Sequence, residues 1–456
     1  MYRPITILLI LIFGQCLWSS ERQATLYDEN PDHLWNEMHA ALWMRTAPDG
    51  THHAEGTLDL PLFKSTRSIL SGDSYQRVID VLDAFNQQSQ EEIAEVSPLE
   101  RAWMQRELWA AFDWSTEAAK SFFAEEQHLN PAVRTMQTRL ERAIRLLALT
   151  TEEIAELPSP YSLTLASEDY ATAPETLNEL PPYEPSLPYL PNGLDPTTSR
   201  WAFVEPIETA LPGDAHFRFF TSRSAFLVAV RLPKGEISTE AYLSELGSFR
   251  PAWIPSEEES IGGPTLPHGG IHEGGMIPNP ETPQFPAGTQ WALIRKAMLI
   301  NQEGRIVVSP LVESIQLRTY LTVEENGSNQ ALAEFLLSPG AYLSGGTPLV
   351  AQTGEEKLFV GFLQHDIDRF EKSEKEWSDY INYRKKPGLS CYTCHSGWGI
   401  HGVNSRAQLF SPRLAEPVTL VSRTIDRIEN GYIREKEKRY DWGLLKGLMQ
   451  SQEGED

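Results

Sequence analysis

Cysteine is nearly absent, with 3 in 456 residues. At most one disulfide can form, so any motif that uses two of the three stands out. Basic residues are scarce beside acidic ones, 39 against 63, for a formal net charge of −24. That sign argues against a nucleic-acid binder, which must neutralise phosphates. Past the N-terminus no stretch reaches the roughly 18 apolar residues of a membrane-spanning helix. GxSxG, HExxH, a P-loop and a Rossmann fingerprint are all missing. Hydrolase, zincin and nucleotide readings therefore have no motif to stand on. No internal repeat is visible. Apolar residues still make up 41% and aromatics 10%, enough to predict packed cores rather than disorder.

What is present begins with an export signal. Arg3 precedes an apolar run from Ile5 to Phe13, broken only by Thr6. A short charged region followed by a short hydrophobic one reads as a secretory signal peptide over residues 1–20. Gly14 and Cys16 offer small residues for cleavage, with Ser19 and Ser20 as alternatives. Gln15 stands where a lipoprotein signal needs a small residue, so Cys16 is not read as a lipid anchor. Removal of Cys16 leaves Cys391 and Cys394. The expected location is periplasmic or extracellular, with no membrane span after cleavage.

Those two cysteines open Cys391-Tyr392-Thr393-Cys394-His395, a CxxCH. This is the attachment signature of c-type haem. Two thiols at this spacing can each add across one vinyl group of the porphyrin. The following imidazole is then the proximal ligand of the iron. The motif predicts one covalent haem c held by Cys391, Cys394 and His395. The alternatives are a CxxC disulfide or a zinc clip. The distal position has several candidates. Met449 is the methionine that follows the motif, and His365 and His401 flank it. Pro267 to Met276 gathers His268, His272, Glu273 and Met276 among four glycines, a set that suits iron or copper. Met/His ligation favours electron transfer, and an open position favours ligand binding or peroxide chemistry.

Hydrophobic spacing predicts a multidomain α+β protein. Residues 25–157 read as a helical domain. Asn30-Pro31 is the expected first cap. Ser97 to Glu100 and Thr150 to Glu153 form capping boxes. Val133, Met136, Leu140, Ile144 and Leu147 make an apolar stripe. The proline-rich stretch 158–199 reads as an extended linker. Residues 200–350 change to strand period, with Phe226–Leu232, Trp291–Ile300, Ile315–Val323 and Ala331–Leu337 as strands. An antiparallel β-rich domain follows, as a sandwich or half-barrel. Residues 351–456 return to helix as the haem-binding region. Phe370, Trp377, Tyr380 and Ile381 share a helix face there, and a last helical stretch from Val418 breaks at Gly431. From Asn382 onward, 12 basic residues face 9 acidic ones, a mildly basic tail on an acidic body. Arg384, Lys385, Lys386, Arg406 and Arg413 are candidates to meet haem propionates or an acidic partner.

Three stretches resemble a class of exported bacterial single-haem c-type cytochrome-like proteins found in planctomycetes and their relatives. They are CYTCHSGWGIHGVNSR at 391–406, YDWGLL at 440–445, and residues 285–318 beginning FPAGTQWALIRKAMLI. The resemblance implies haem and export without specifying a reaction. The expected function is electron transfer with a redox partner outside the cytoplasm. A peroxidase-like enzyme or oxidoreductase subunit, and a non-haem envelope binding protein with a CxxC disulfide, are the alternatives.

Overall fold

The computed structural model describes residues 25–53, 68–70, 72–121, 130–172, 189–194, 201–206, 211–213, 216–217, 223–235, 237–251, 253–255, 276–324, 329–352, 370, 373–384, 399–403 and 420–452. The molecule mixes helix and antiparallel sheet. Six strands form a meander in chain order: β1 (Ala202–Pro206), β2 (Ser224–Arg231), β3 (Gln290–Ile300), β4 (Ile306–Tyr320), β5 (Gln330–Leu337) and β6 (Leu349–Ala351). A seventh strand, β7 (Leu420–Ser422), returns from late in the chain to pair with β1. The order across the sheet is β6-β5-β4-β3-β2-β1-β7. Between β3 and β4 the chain reverses at Asn301 to Gly304. Gly304 sits at φ +67° and its N–H donates to Asn301 O at 2.9 Å. Only glycine enters that left-handed region without strain.

Register explains which face the helices cover. Ala229, Ala292, Leu317 and Ala333 line up in one row, and Leu227, Ile294, Ile315 and Phe335 in the next. Opposed residues of an antiparallel pair share a face, so these rows make an apolar floor. On it lies a helical layer built from α1 (Leu34–Trp43), α2 (Gly72–Phe85), α3 (Pro98–Ser121) and α4 (Asn130–Leu146). The predicted stripe of α4 is fully buried, from Val133 to Leu147. Ser97 and Glu100 cap α3 reciprocally, as do Thr150 and Glu153 the helix Thr151–Glu156. Gln105 joins the layer to the sheet. Its side-chain amide accepts from Ile300 N–H at 2.9 Å and donates to Ile300 O at 2.8 Å.

Toward β1 the opposite face is covered by an apolar cluster. There α5 (Thr239–Ser248) places Tyr242, Leu243 and Leu246 against Val204, Val230, Trp291, Tyr320 and Leu420. Toward β5 the same face turns polar, and Gln316 donates to Glu334 at 3.0 Å. Late in the chain come α6 (Glu374–Arg384), α7 (Ile425–Glu437) and α8 (Tyr440–Gln452). Ile428, Tyr432, Trp442 and Leu445 join the same apolar cluster as Trp35, Phe85, Trp109, Ile294 and Phe335. N-terminal helices, sheet and C-terminal helices thus share one continuous core.

Several expectations need correction. The β-rich region is one seven-stranded sheet faced by helices; among the described residues no second sheet of comparable size packs on it. The linker opens with a helix, Pro160–Ala166, in which Ser159 caps and Pro160 takes the first position. Proline is tolerated there because that N–H has no helical partner anyway. The cap of α1 is His33, not Asn30; Asn30 instead accepts from Asp32 N–H, forming a local turn. Gly431 does not break α7. A Cβ there would lie 2.8 Å from Leu211 Cδ2, so the glycine serves close approach. Phe370 precedes α6 rather than belonging to it, and its ring packs against Trp377 at 5.3 Å between centroids. No helix among the described residues is long and apolar enough to cross a membrane.

Candidate functional site

Cys391, Cys394 and His395 lie outside the described residues, as do Cys16, His268, His272 and His365. So do Lys385, Lys386, Arg406 and Arg413, and the side chain of Arg384. Both flanks of the motif are described, and each is fixed to a different part of the fold. On the approach side, Ser373 and Glu376 cap α6: Ser373 N–H donates to Glu376 Oε2 at 3.1 Å, and Glu376 N–H to Ser373 Oγ at 3.4 Å. Trp377 on α6 is buried, and its indole N–H donates to Asp49 Oδ2 at 2.9 Å. Asp49 sits between two short paired strands, Arg45–Thr46 and His52–His53. The Thr51 N–H, and further the Trp377 indole, hold the Asp49 carboxyl below its ordinary pKa. His53 packs edge-on against Phe370 and Trp377, at 5.6 and 5.4 Å between centroids. Arg45 lies 4.5 Å over the Phe370 ring, a cation–π contact.

On the exit side, Gly399 opens the short helix Gly399–Val403 at φ +52°. Ile400 N–H donates to Gln284 Oε1 at 2.9 Å. Ile400 is buried in the second core beside Phe285, Trp291 and Tyr320. His401 is buried as well. The chain on either side of the motif is therefore anchored at the N-terminal hairpin and at the sheet face under α5.

Of the distal candidates, Met449 is described and lies in the apolar core with Trp442 and Leu445. It occupies the place of a packing side chain. Met276 begins the short strand Met276–Pro278.

Sequence reading missed the buried charges. Lys436 on α7 has no exposed surface; its ammonium is 2.6 Å from Asp113 and 3.3 Å from Asp441, and 5.2 Å from the Trp109 ring. Burial raises the Asp113 pKa to about 6, with Lys436 opposing the rise. Asp441 feels burial too, but Lys436 and Arg439 outweigh it and keep its pKa low. A second cluster joins Arg106 on α3 to Glu313 on β4, which also binds Arg295 at 2.7 Å and accepts from Ser224 at 2.5 Å. Burial alone would raise Glu313; the two guanidiniums reverse this and hold it far below the carboxylate range. A third pairs His39 Nδ1 with Glu107 at 3.0 Å, and Tyr27 OH donates to the same carboxylate at 2.9 Å. One signal was available: Ile428, Tyr432 and Lys436 follow each other every four residues, which puts the lysine on the apolar face.

Chemically, two thiols and one imidazole in CxxCH are the donor set for two thioether bonds and one axial bond to haem iron. Among the described residues no cluster of three or more His, Cys, Asp or Glu is placed to hold a metal ion. No known protein family, curated protein or solved structure matches the chain.

Proposed function

We propose that this is an exported c-type cytochrome-like protein carrying one covalent haem and passing electrons to a redox partner outside the cytoplasm. The observation that carries the reading is Cys391-Tyr392-Thr393-Cys394-His395 in a chain with 3 cysteines. Its support is the apolar N-terminal segment, since haem c is attached on the outer side of the bacterial inner membrane. Bound at this motif, haem supplies one-electron redox chemistry. Cys391 and Cys394 would hold the group through thioether bonds, and the His395 imidazole would bind its iron. Met449, His272 and its neighbours, His365 and His401 are the distal candidates beside an open position. In this reading the helical segment 25–157, the proline-rich stretch 158–199 and the β-rich segment 200–350 form the body that carries the haem-binding region 351–456. The acidic charge of that body argues against nucleic acid as a partner, and the mildly basic tail suits an acidic protein.

The test is a reduced-minus-oxidised spectrum of protein exported from a host with cytochrome c maturation machinery, with a pyridine haemochrome assay after denaturation. Covalent haem with a sharp reduced α band is expected. A covalent but high-spin spectrum would shift the reading to ligand binding or peroxidase chemistry. Absence of covalent haem would leave a CxxC disulfide and an envelope binding protein. Replacing both Cys391 and Cys394 with Ala is expected to abolish covalent haem altogether; its retention would refute the assignment.

A further inference from the structure

The elbow between α7 and α8 is pinned to α3 through one buried charge cluster. The Lys436 ammonium lies 2.6 Å from Asp113 Oδ2 and 3.3 Å from Asp441 Oδ2, so two carboxylates share it. Arg223 reaches Asp113 Oδ2 at 3.5 Å, and Arg439 reaches Asp441 Oδ2 at 3.2 Å. Asp441 Oδ1 accepts from the Trp442 N–H at 2.8 Å. Asp113 Oδ1 is different: it is buried, and no donor among the described residues reaches it. Trp109, one turn earlier on α3, closes the cluster. Its ring lies 5.2 Å from the ammonium and 5.9 Å from the Trp442 ring. The other buried charges described on α3 are engaged elsewhere. Arg106 pairs with Glu313 of β4, which also binds Arg295 of β3; Glu107 pairs with His39 of α1; and Arg101 lies 3.6 Å from Glu153. On α4, Glu141 lies 3.7 Å from Arg145. The charges that face Asp113 are therefore Lys436, Asp441 and Arg223.

An ionised carboxylate accepts at both oxygens, and one left unsatisfied in the interior is costly. A proton at that oxygen removes the charge and most of the cost. We propose that Asp113, Lys436 and Asp441 form a proton-operated clasp. A proton taken up at Asp113 Oδ1 leaves Lys436 to Asp441. Its loss sets two carboxylates in competition for one ammonium, and the elbow of α7 and α8 docks less tightly on α3. The inference is independent of the haem reading. Burial works in the same direction, raising the Asp113 pKa to about 6 against the pull of Lys436. The contribution of Asp113 to docking is thus complete below its ordinary 3.8 and is lost as pH rises through about 6. Burial also pushes Asp441 up, but Lys436 and Arg439 outweigh it and hold that group below 3.8, so its contribution is lost only in stronger acid. The clasp is tightest near about pH 4 and loosens toward neutrality.

The experiment follows backbone amide exchange in the full chain between pH 4 and pH 7, corrected for the intrinsic pH dependence of exchange. Peptides from α7 and α8 are expected to be less protected than those of the β4–β5 ladder at every pH, because the elbow opens by itself. Their protection should fall about fiftyfold across the range, the ratio set by the gap between 3.8 and about 6. In Asp113→Asn, which has no proton to lose, that fall should vanish. The Asp113 carboxyl carbon signal, identified by its disappearance in Asp113→Asn, should titrate near 6 in wild type. Protection of α7 and α8 that ignores pH, or that matches the β4–β5 ladder throughout, would overturn the clasp. So would a carboxyl signal that titrates at or below the ordinary 3.8. Should Asp113→Asn fail to fold, the wild-type exchange profile decides by the same comparison.

Discussion

Lys436 and Asp113 make a buried ion pair 323 residues apart in sequence. Taking both charges out of water costs several kcal/mol, and the pair returns that cost only while both partners remain. Lys436→Met leaves Asp113 only the longer contact to Arg223 at 3.5 Å and Asp441 that to Arg439 at 3.2 Å, and is expected to lower stability by about 3 kcal/mol, read from the urea midpoint. A loss below about 1 kcal/mol would mean that the carboxylates take up protons or water instead. Asp113 also sets a pH dependence. Burial raises its folded pKa to about 6, above the ordinary 3.8. A raised carboxyl favours folding fully below the unfolded value, and that contribution is lost as pH rises through the folded one. The gap is worth about 3 kcal/mol. Wild-type stability should therefore fall more steeply between pH 4 and pH 7 than that of Asp113→Asn. Parallel profiles would show that Asp113 stays ionised throughout.

Among elements, the β6 edge shows how an exposed strand is protected. The N–H groups of Leu349 and Ala351 donate away from β5, to Thr164 Oγ1 and the Tyr170 hydroxyl, both at 3.0 Å. Leu163 and Val350 lie exposed close by. An uncapped edge beside apolar side chains is a template for another strand. Thr164→Val with Tyr170→Phe is expected to cause concentration-dependent self-association relative to wild type, seen by light scattering on a sizing column. An unchanged mass across a hundredfold concentration range would place the protection elsewhere. Boundaries of this kind were unevenly legible. Caps at Ser97 and Thr150 could be read because a capping box is a four-residue signal. The helix Pro160–Ala166 was hidden by the prolines that follow it, and the cap at His33 lacks a side-chain hydrogen bond.

For the whole molecule, the C-terminal helices belong to the core that the N-terminal helices begin. Glu429 meets Lys296 on β3 at 2.5 Å, and Arg423 and Arg427 share Glu205 on β1 at 2.6 and 2.8 Å. β7 completes the sheet only when the region after the motif is present. A fragment of residues 351–456 is therefore expected to lack a cooperative thermal transition, whereas the complete chain unfolds cooperatively. A fragment that melts sharply by circular dichroism would show that residues 351–456 are an independent domain. The candidate site follows the same division. The CxxCH could be read in the sequence because it is a local spacing. Its supports could not, because Trp377 meets Asp49 across 328 positions and Ile400 meets Gln284 across 116.

Sequence alone determined the α+β class, the stripe of α4, the strands β2, β3 and β5, and the CxxCH spacing at Cys391 to His395. Each is a pattern within a few turns or residues, where backbone period and side-chain chemistry act locally. Tertiary structure decided that β7 joins β1, that Met449 packs in the core, that Lys436 lies among carboxylates, and that Gly399 is seated on Gln284. Those are meetings between distant segments, and no local period encodes them. Burial of one shared apolar core brings the segments together, and only then do the charges and amides they carry find their partners.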